Sequence, residues 1–206
     1  MSKKDSSFKK MVLALLLVSA IASASLGIIY ALTKDTISEA RKLQKQNALK
    51  TVLPDFDNDP LVNVEKRGVN GDTLYFYIAQ KNGEWTGTAV ETFTNLGFSG
   101  RIKLLVSFTP DGKIYSTSVL EHQETPGLGD KMEKEKSFDK NTGKSWSSQF
   151  EGKDPGEFRL IVKKDRGDVD AITAATISSR AFCDAVQRAY DEYMKMKQET
   201  KTDSAQ

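Results

Sequence analysis

A chain of 206 residues with a net charge of +2 has room for a membrane segment and one modest domain. A single cysteine (Cys183) and a single histidine (His122) exclude an intrachain disulfide, a cysteine-rich zinc site, an iron–sulfur cluster and a CxxCH haem attachment, so redox chemistry here needs a bound organic cofactor. Lys3, Lys4, Lys9 and Lys10 precede the first apolar run and the rest of the chain is nearly neutral, which leaves no basic face for nucleic acid.

Residues 11–32, MVLALLLVSAIASASLGIIYAL, carry no charge. As a helix they would extend about 33 Å, enough to cross a hydrocarbon core of about 30 Å. A cleaved signal peptide is the rival reading, with Ala22-Ser23-Ala24 as a cleavage site, but the apolar run continues past it through Leu32. The lysines of residues 1–10 make that tail the cytoplasmic end, which puts the rest of the chain outside the cytoplasmic membrane. Residues 33–53 read as a separate connecting helix, with Thr36 and Glu39 as a capping box and Pro54 as the stop.

Strands follow at 61–66, 73–80, 85–92, 101–109, 113–122 and 157–164. Asn70-Gly71, Asn82-Gly83 and Pro110-Asp111-Gly112 mark turns between them. A final helix starts near Ser178, with Ala181, Phe182, Ala185, Val186, Ala189, Tyr190 and Tyr193 on one face. The order argues an α+β domain over 54–195, with a mainly antiparallel sheet flanked by helices and a polar, frayed tail at 196–206.

Two stretches stand out. EHQETPGLGDK (121–131) places Pro126-Gly127 and Gly129 directly after a strand, where backbone can approach a ligand or simply turn. DAITAATISS (170–179) gathers Thr173, Thr176, Ser178 and Ser179 at a helix start. Those hydroxyls are either helix caps or part of an anion site at the helix N-terminus, where amides and the dipole favour a phosphate.

DAITAAT resembles the flavinylation motif Asp-Gly-x-Ser/Thr-Gly-Ala-Thr, and ETPGLG resembles the second hallmark of the same FMN-binding domain family. The likeness covers nearly the whole chain, including a Gly-aromatic-x-Gly step at Gly97-Phe98-Ser99-Gly100. Members include the G subunit of the Rnf ion-translocating complex, which fits this length and layout, and the C subunit of the sodium-pumping NADH:quinone reductase, which is typically longer. The resemblance implies a membrane-anchored electron-transfer subunit with no complete catalytic activity of its own. It would pass electrons through FMN between iron–sulfur and flavin subunits of a complex coupling ferredoxin/NAD electron transfer to ion translocation. It further implies that a flavin transferase esterifies Thr176 with FMN, that Asp170 and Thr173 are recognised by that enzyme, and that Ala175, Ser178 and Ser179 belong to the site. Glu124, Thr125, Gly127, Leu128 and Gly129 would pack against the flavin. Trp85, Phe98, Tyr115, Leu128 and Trp146 are candidate ring neighbours, although such side chains more often serve in core or surface packing. Ala171 and Ala174 stand where the pattern has glycine; alanine disfavours positive φ, so this stretch is expected to be helix-like. The alternatives are the quinone-reductase C subunit, a docking scaffold without flavin, and a hydrolase using a hydroxyl nucleophile, which lacks a His–acid pair.

Overall fold

The computed structural model describes residues 3–203 except 63 and 70, with side chains described over 8–199. The expected Asn70-Gly71 turn therefore lies partly outside the described residues, as do residues 1–2 and 204–206; Gly71 has φ 81°.

The chain opens with one helix, α1, Lys3–Val52. The two helices expected at 11–32 and 33–53 are continuous, and Thr36 lies in the helix interior instead of capping a start. No proline or glycine interrupts residues 28–52, so nothing in the backbone requires a break between the apolar run and the polar turns after it. Pro54 follows two residues after the helix ends, as expected. The chain divides into two compact units, residues 1–44 and 45–206. Within the first, the side chains described are all exposed, and α1 includes an 18-residue window of mean hydropathy 2.5, long and apolar enough to cross a membrane.

The second unit is built on a five-stranded antiparallel meander in sequence order: β1 (Val64–Val69), β2 (Asp72–Lys81), β3 (Glu84–Gly97), β4 (Gly100–Phe108) and β5 (Ile114–Glu121). The Asn82-Gly83 turn has positive φ at both positions, 52° and 81°, the twist that suits a two-residue hairpin. β3 runs past the expected end at 92, because Phe93 and Thr94 still pair with Lys103 and Ile102 of β4. A short helix, α2 (Lys134–Ser137), and the long α3 (Thr176–Asp203) complete the unit. α3 continues through most of the expected frayed tail, whose Lys, Gln and Glu are good helix formers; Glu199 forms a two-pronged pair with Arg67 at 3.1 and 2.6 Å.

Segment 157–164 is not a strand. Leu160 and Val162 are buried in alternation, which is the period-2 pattern the sequence displays. The backbone around them bonds within its own loop, however: Asp168 N–H donates to the Arg159 carbonyl, Val169 N–H to Ile161, and Lys163 N–H to Val169. The alternation reports burial of one side, not pairing into the sheet.

Each face of the sheet has a cover. α3 lays Ala181, Phe182, Ala185, Val186, Ala189 and Tyr193 over Leu74, Phe76, Val90, Leu104, Val106 and Phe108. The Thr92 hydroxyl reaches across to the Ala185 carbonyl at 3.1 Å, and the Tyr193 hydroxyl to the Thr109 carbonyl at 2.8 Å. On the other face, Leu49, Val52 and Leu53 pack on Tyr77, Ala79, Ala89 and Leu105. The buried Ser107 hydroxyl donates to the Val52 carbonyl at 2.5 Å, occupying an acceptor that the helix end leaves open. The expected α+β architecture, an apolar N-terminal helix and then an antiparallel sheet with helices, is the one this chain adopts.

Candidate functional site

The start of α3 follows a tight connection. Ala175 N–H donates to the Ile172 carbonyl at 3.0 Å, and between them Ala174 adopts φ 61°. The expected helix-like course does not hold: residues 170–175 are turn and irregular backbone ahead of α3, and Ala174 takes the left-handed conformation that glycine adopts freely, a strain for any side chain with a Cβ. Ser179 holds the connection closed, accepting Ile172 N–H at 2.9 Å and donating to the Ala175 carbonyl at 3.0 Å. The Ser178 hydroxyl donates to Glu124 at 2.5 Å. Both serine hydrogens are therefore committed within the chain. The hydroxyls of Thr173 and Thr176 have no partner among the described residues, and neither do the amides of Thr176, Ile177 and Ser178, the first three of α3.

Thr176, Ile177 and Ser178, with the free hydroxyl of the first and the three free amides, line a cleft of about 290 Å³. Ala174, Ala175, Thr176, Ile177 and Ser178 make one wall; Glu124, Thr125, Leu128 and Gly129 make the opposite one; Phe98, at the tip of the β3–β4 hairpin, stands at the side. Phe98, Leu128 and Ile177 are large apolar side chains left exposed around it. The cleft thus joins an anion-binding end to apolar surface.

Of the residues expected at the site, the structure brings Glu124, Thr125, Leu128, Gly129, Ala175, Thr176 and Ser178 into this cleft. Gly127 (φ 78°) shapes the turn without lining it, and Ser179 works behind the wall. Asp170 and Thr173 face solvent outside it. The Asp170 backbone is clamped: its N–H donates to Gln149 Oε1 at 2.7 Å, and its carbonyl accepts Trp146 Nε1–H at 2.6 Å. Its carboxylate pairs with Lys163 at 2.8 Å. Of the candidate ring neighbours, only Phe98 and Leu128 line the cleft. Trp146 packs edge-on against Phe150 and Phe182, Trp85 lies 6.3 Å from the Tyr193 ring, and Tyr115 is an exposed residue of β5. Ile177 escaped notice because it stands four residues before Ala181, in register with the core stripe.

Glu124 is the hub of the cleft. Its side chain is 4% exposed; Oε1 accepts Ser99 N–H at 2.9 Å and Oε2 accepts the Ser178 hydroxyl. Its own N–H donates to His122 Nδ1 at 3.0 Å, so that His122 carries its proton on Nε2 and donates to Glu133 at 2.6 Å. Gly129 is required beside it: a Cβ there would lie 2.6 Å from Ser178 Oγ and 2.8 Å from Glu124 Oε2. Behind α3, the Arg180 guanidinium binds Asp165 at 2.6 Å, which holds the Asp165 carboxyl below the usual range and raises Arg180. This pair ties the 159–169 loop to the first turn of the helix.

Residues 97–191, from the hairpin tip to the middle of α3, match the FMN-binding domain family. The chain is 37% identical over 187 residues to the G subunit of the ion-translocating oxidoreductase complex of Vibrio atlanticus, covering 84% of this chain and 86% of that one. The corresponding protein of Aliivibrio fischeri is 35% identical with 94% of both chains covered, and that of Erwinia tasmaniensis 36% with 82% of both. The chain belongs to the family of Rnf-type G subunits. The matched FMN-binding domain, 97–191, includes every residue lining the cleft. The cleft also has the features FMN demands: free amides and a free hydroxyl for the phosphate, and Phe98, Leu128 and Ile177 for the flat ring.

Proposed function

We propose that this member of the Rnf-type family is a membrane-anchored electron carrier whose FMN is joined through its phosphate to Thr176, within a complex that couples ferredoxin/NAD electron transfer to ion translocation. The observation that carries the reading is the Thr176 hydroxyl, unpartnered and facing the cleft at the head of α3 beside three free amides. An anion there meets N–H donors and the positive end of the helix dipole. When bound, FMN supplies the electron-accepting and electron-donating chemistry.

The chain's own residues hold and orient. In this reading a flavin transferase moves the flavin phosphate from a flavin dinucleotide to Thr176: the Oγ1–P bond forms as the phosphoanhydride P–O bond breaks, a nucleoside monophosphate leaves, and the hydroxyl proton passes to solvent through the transferase. Asp170 and Thr173, both exposed, are in this reading the residues that the transferase recognises. The Thr176, Ile177 and Ser178 N–H groups would hold the phosphate, and Leu128 and Phe98 would cover the ring. The apolar run of α1 anchors the chain as a single pass, and the lysines before it keep the domain on the extracytoplasmic side. Iron–sulfur and flavin subunits of the complex deliver and remove the electrons. A covalent tether keeps the cofactor at the site where no cytoplasmic pool can replace it.

Intact mass and peptide mapping of the denatured protein, produced with its transferase, test the reading. The expected result is an addition of FMN less one water on the peptide holding Thr176, absent from Thr176→Ala. An unmodified wild-type chain overturns the covalent link and favours a docking scaffold.

A further inference from the structure

The carboxylate of Glu124 is buried against the cleft with no cation to balance it. Ion pairs among the described residues include none with Glu124. Its neutralisation comes from dipoles alone, the Ser99 N–H and the Ser178 O–H, and both oxygens act as acceptors, the pattern of an ionised group. A Cβ added at Gly97 would lie 2.7 Å from Oε1, and one at Gly129 would lie 2.8 Å from Oε2, so two glycine backbones close over the carboxylate. Burying a charge without a counter-ion is unfavourable, and hydrophobic replacements of such groups are often neutral or stabilising. A fold that needed only to join these three segments would be served as well by an amide.

We infer that Glu124 is a positioning and tuning residue: its buried, uncompensated negative charge beside the cleft lowers the reduction potential of the flavin, and the Ser178 hydroxyl sets how far. The inference rests on FMN occupying this cleft, and it assigns Glu124 no contact with the ring. The physical reason is Coulombic. Reduction adds electrons to the ring, and a fixed negative charge across a low-dielectric wall disfavours each added negative charge. A hydrogen bond from Ser178 draws part of that charge back and moderates the effect. Glu124→Gln keeps the shape and can still accept Ser99 N–H, while its NH₂ donates to Ser178 Oγ in reversed polarity. Ser178→Ala keeps the charge and removes one of its two donors.

The test is an equilibrium reductive titration of the purified flavin-loaded protein against indicator dyes of known potential, for wild type, Glu124→Gln and Ser178→Ala, with flavin content and thermal midpoint measured in parallel. Glu124→Gln is expected to favour the reduced flavin about tenfold, which is about +30 mV for a two-electron couple. Ser178→Ala is expected to move the potential the opposite way. A purely structural role would shift both variants in the same direction or neither, and either result overturns the inference. Should Glu124→Gln fail to fold or load, Ser178→Ala decides alone: a fall in potential supports the inference, and no change or a rise overturns it. A wild-type protein without flavin removes the occupant on which the inference rests and overturns both readings, whereas flavin present with unmoved potentials overturns this one only.

Discussion

Ala174 is the residue most at odds with its own backbone. At φ 61° its methyl group bears a cost that glycine would not, although glycine in turn loses more freedom on folding. Ala174→Gly is expected to stabilise the flavin-free protein by about 0.5–1 kcal/mol, read as a higher urea midpoint at unchanged slope. Cys183 behaves as a small core residue, and burial pushes its thiol up to about 12. The folded chain then keeps a proton that the unfolded chain releases above the usual 9.0, so this group's contribution to stability is full below that pH and declines as the pH rises toward 12. Iodoacetamide at pH 8 is expected to leave Cys183 unmodified in the native protein and to label it in urea. His122 is held as the Nε2–H tautomer by Glu124 N–H on one side and Glu133 on the other. With one imidazole in the chain, its ¹⁵N shifts report that tautomer without assignment ambiguity, and Glu133→Gln preserves it.

Among the elements, α3 does two jobs, one from its apolar face and one from its first turn. The apolar stripe covers the sheet, and the N-terminus presents free amides to the cleft. Phe182 is fully buried, within 5.1 Å of the Trp146 ring and 5.0 Å of Phe150. Phe182→Ala is expected to cost about 3–5 kcal/mol in urea denaturation, with the Trp146 fluorescence reporting the same transition. The 157–164 segment shows how far periodicity reaches. Leu160 and Val162 do alternate inward, but strand or loop is decided by where the backbone N–H groups find acceptors, and the partners found lie in residues 154–169 rather than in the sheet. The capping pattern at Thr36 carries the same lesson for helices. A local motif marks a start only if the preceding residues leave the helical conformation, and here they do not.

For the whole molecule, the last two turns of α1 belong to the domain's core. Leu49, Val52 and Leu53 are buried, each worth roughly 1.5–3 kcal/mol on transfer from water, and Val52 supplies the acceptor for Ser107. A soluble fragment beginning at residue 45 is expected to fold cooperatively. One beginning at Pro54 is expected to lose several kcal/mol in urea denaturation or to fail to fold, because the sheet face over Tyr77, Ala89 and Leu105 is then exposed.

By itself the sequence determined the apolar segment, five antiparallel strands and the turns at Asn82-Gly83 and Pro110-Asp111-Gly112, the final helix and the two motifs that meet at the cleft. These are local properties, written in hydrophobic period, turn chemistry and short spacings. The motifs also carried the family resemblance that the relatives establish. Only the tertiary structure decided which hydroxyl remains free. Ser178 and Ser179 are spent on Glu124 and Ala175, partners 54 and 4 residues away, and that leaves Thr176 facing the cleft and Thr173 facing solvent. Only the structure, too, selected Phe98 from among the candidate aromatics, put Ile177 on the cleft, and showed Glu124 buried there without a counter-ion among the described residues. The reason is distance along the chain: hydrogen-bond competition and burial are settled between segments that sequence spacing keeps apart and the fold brings together.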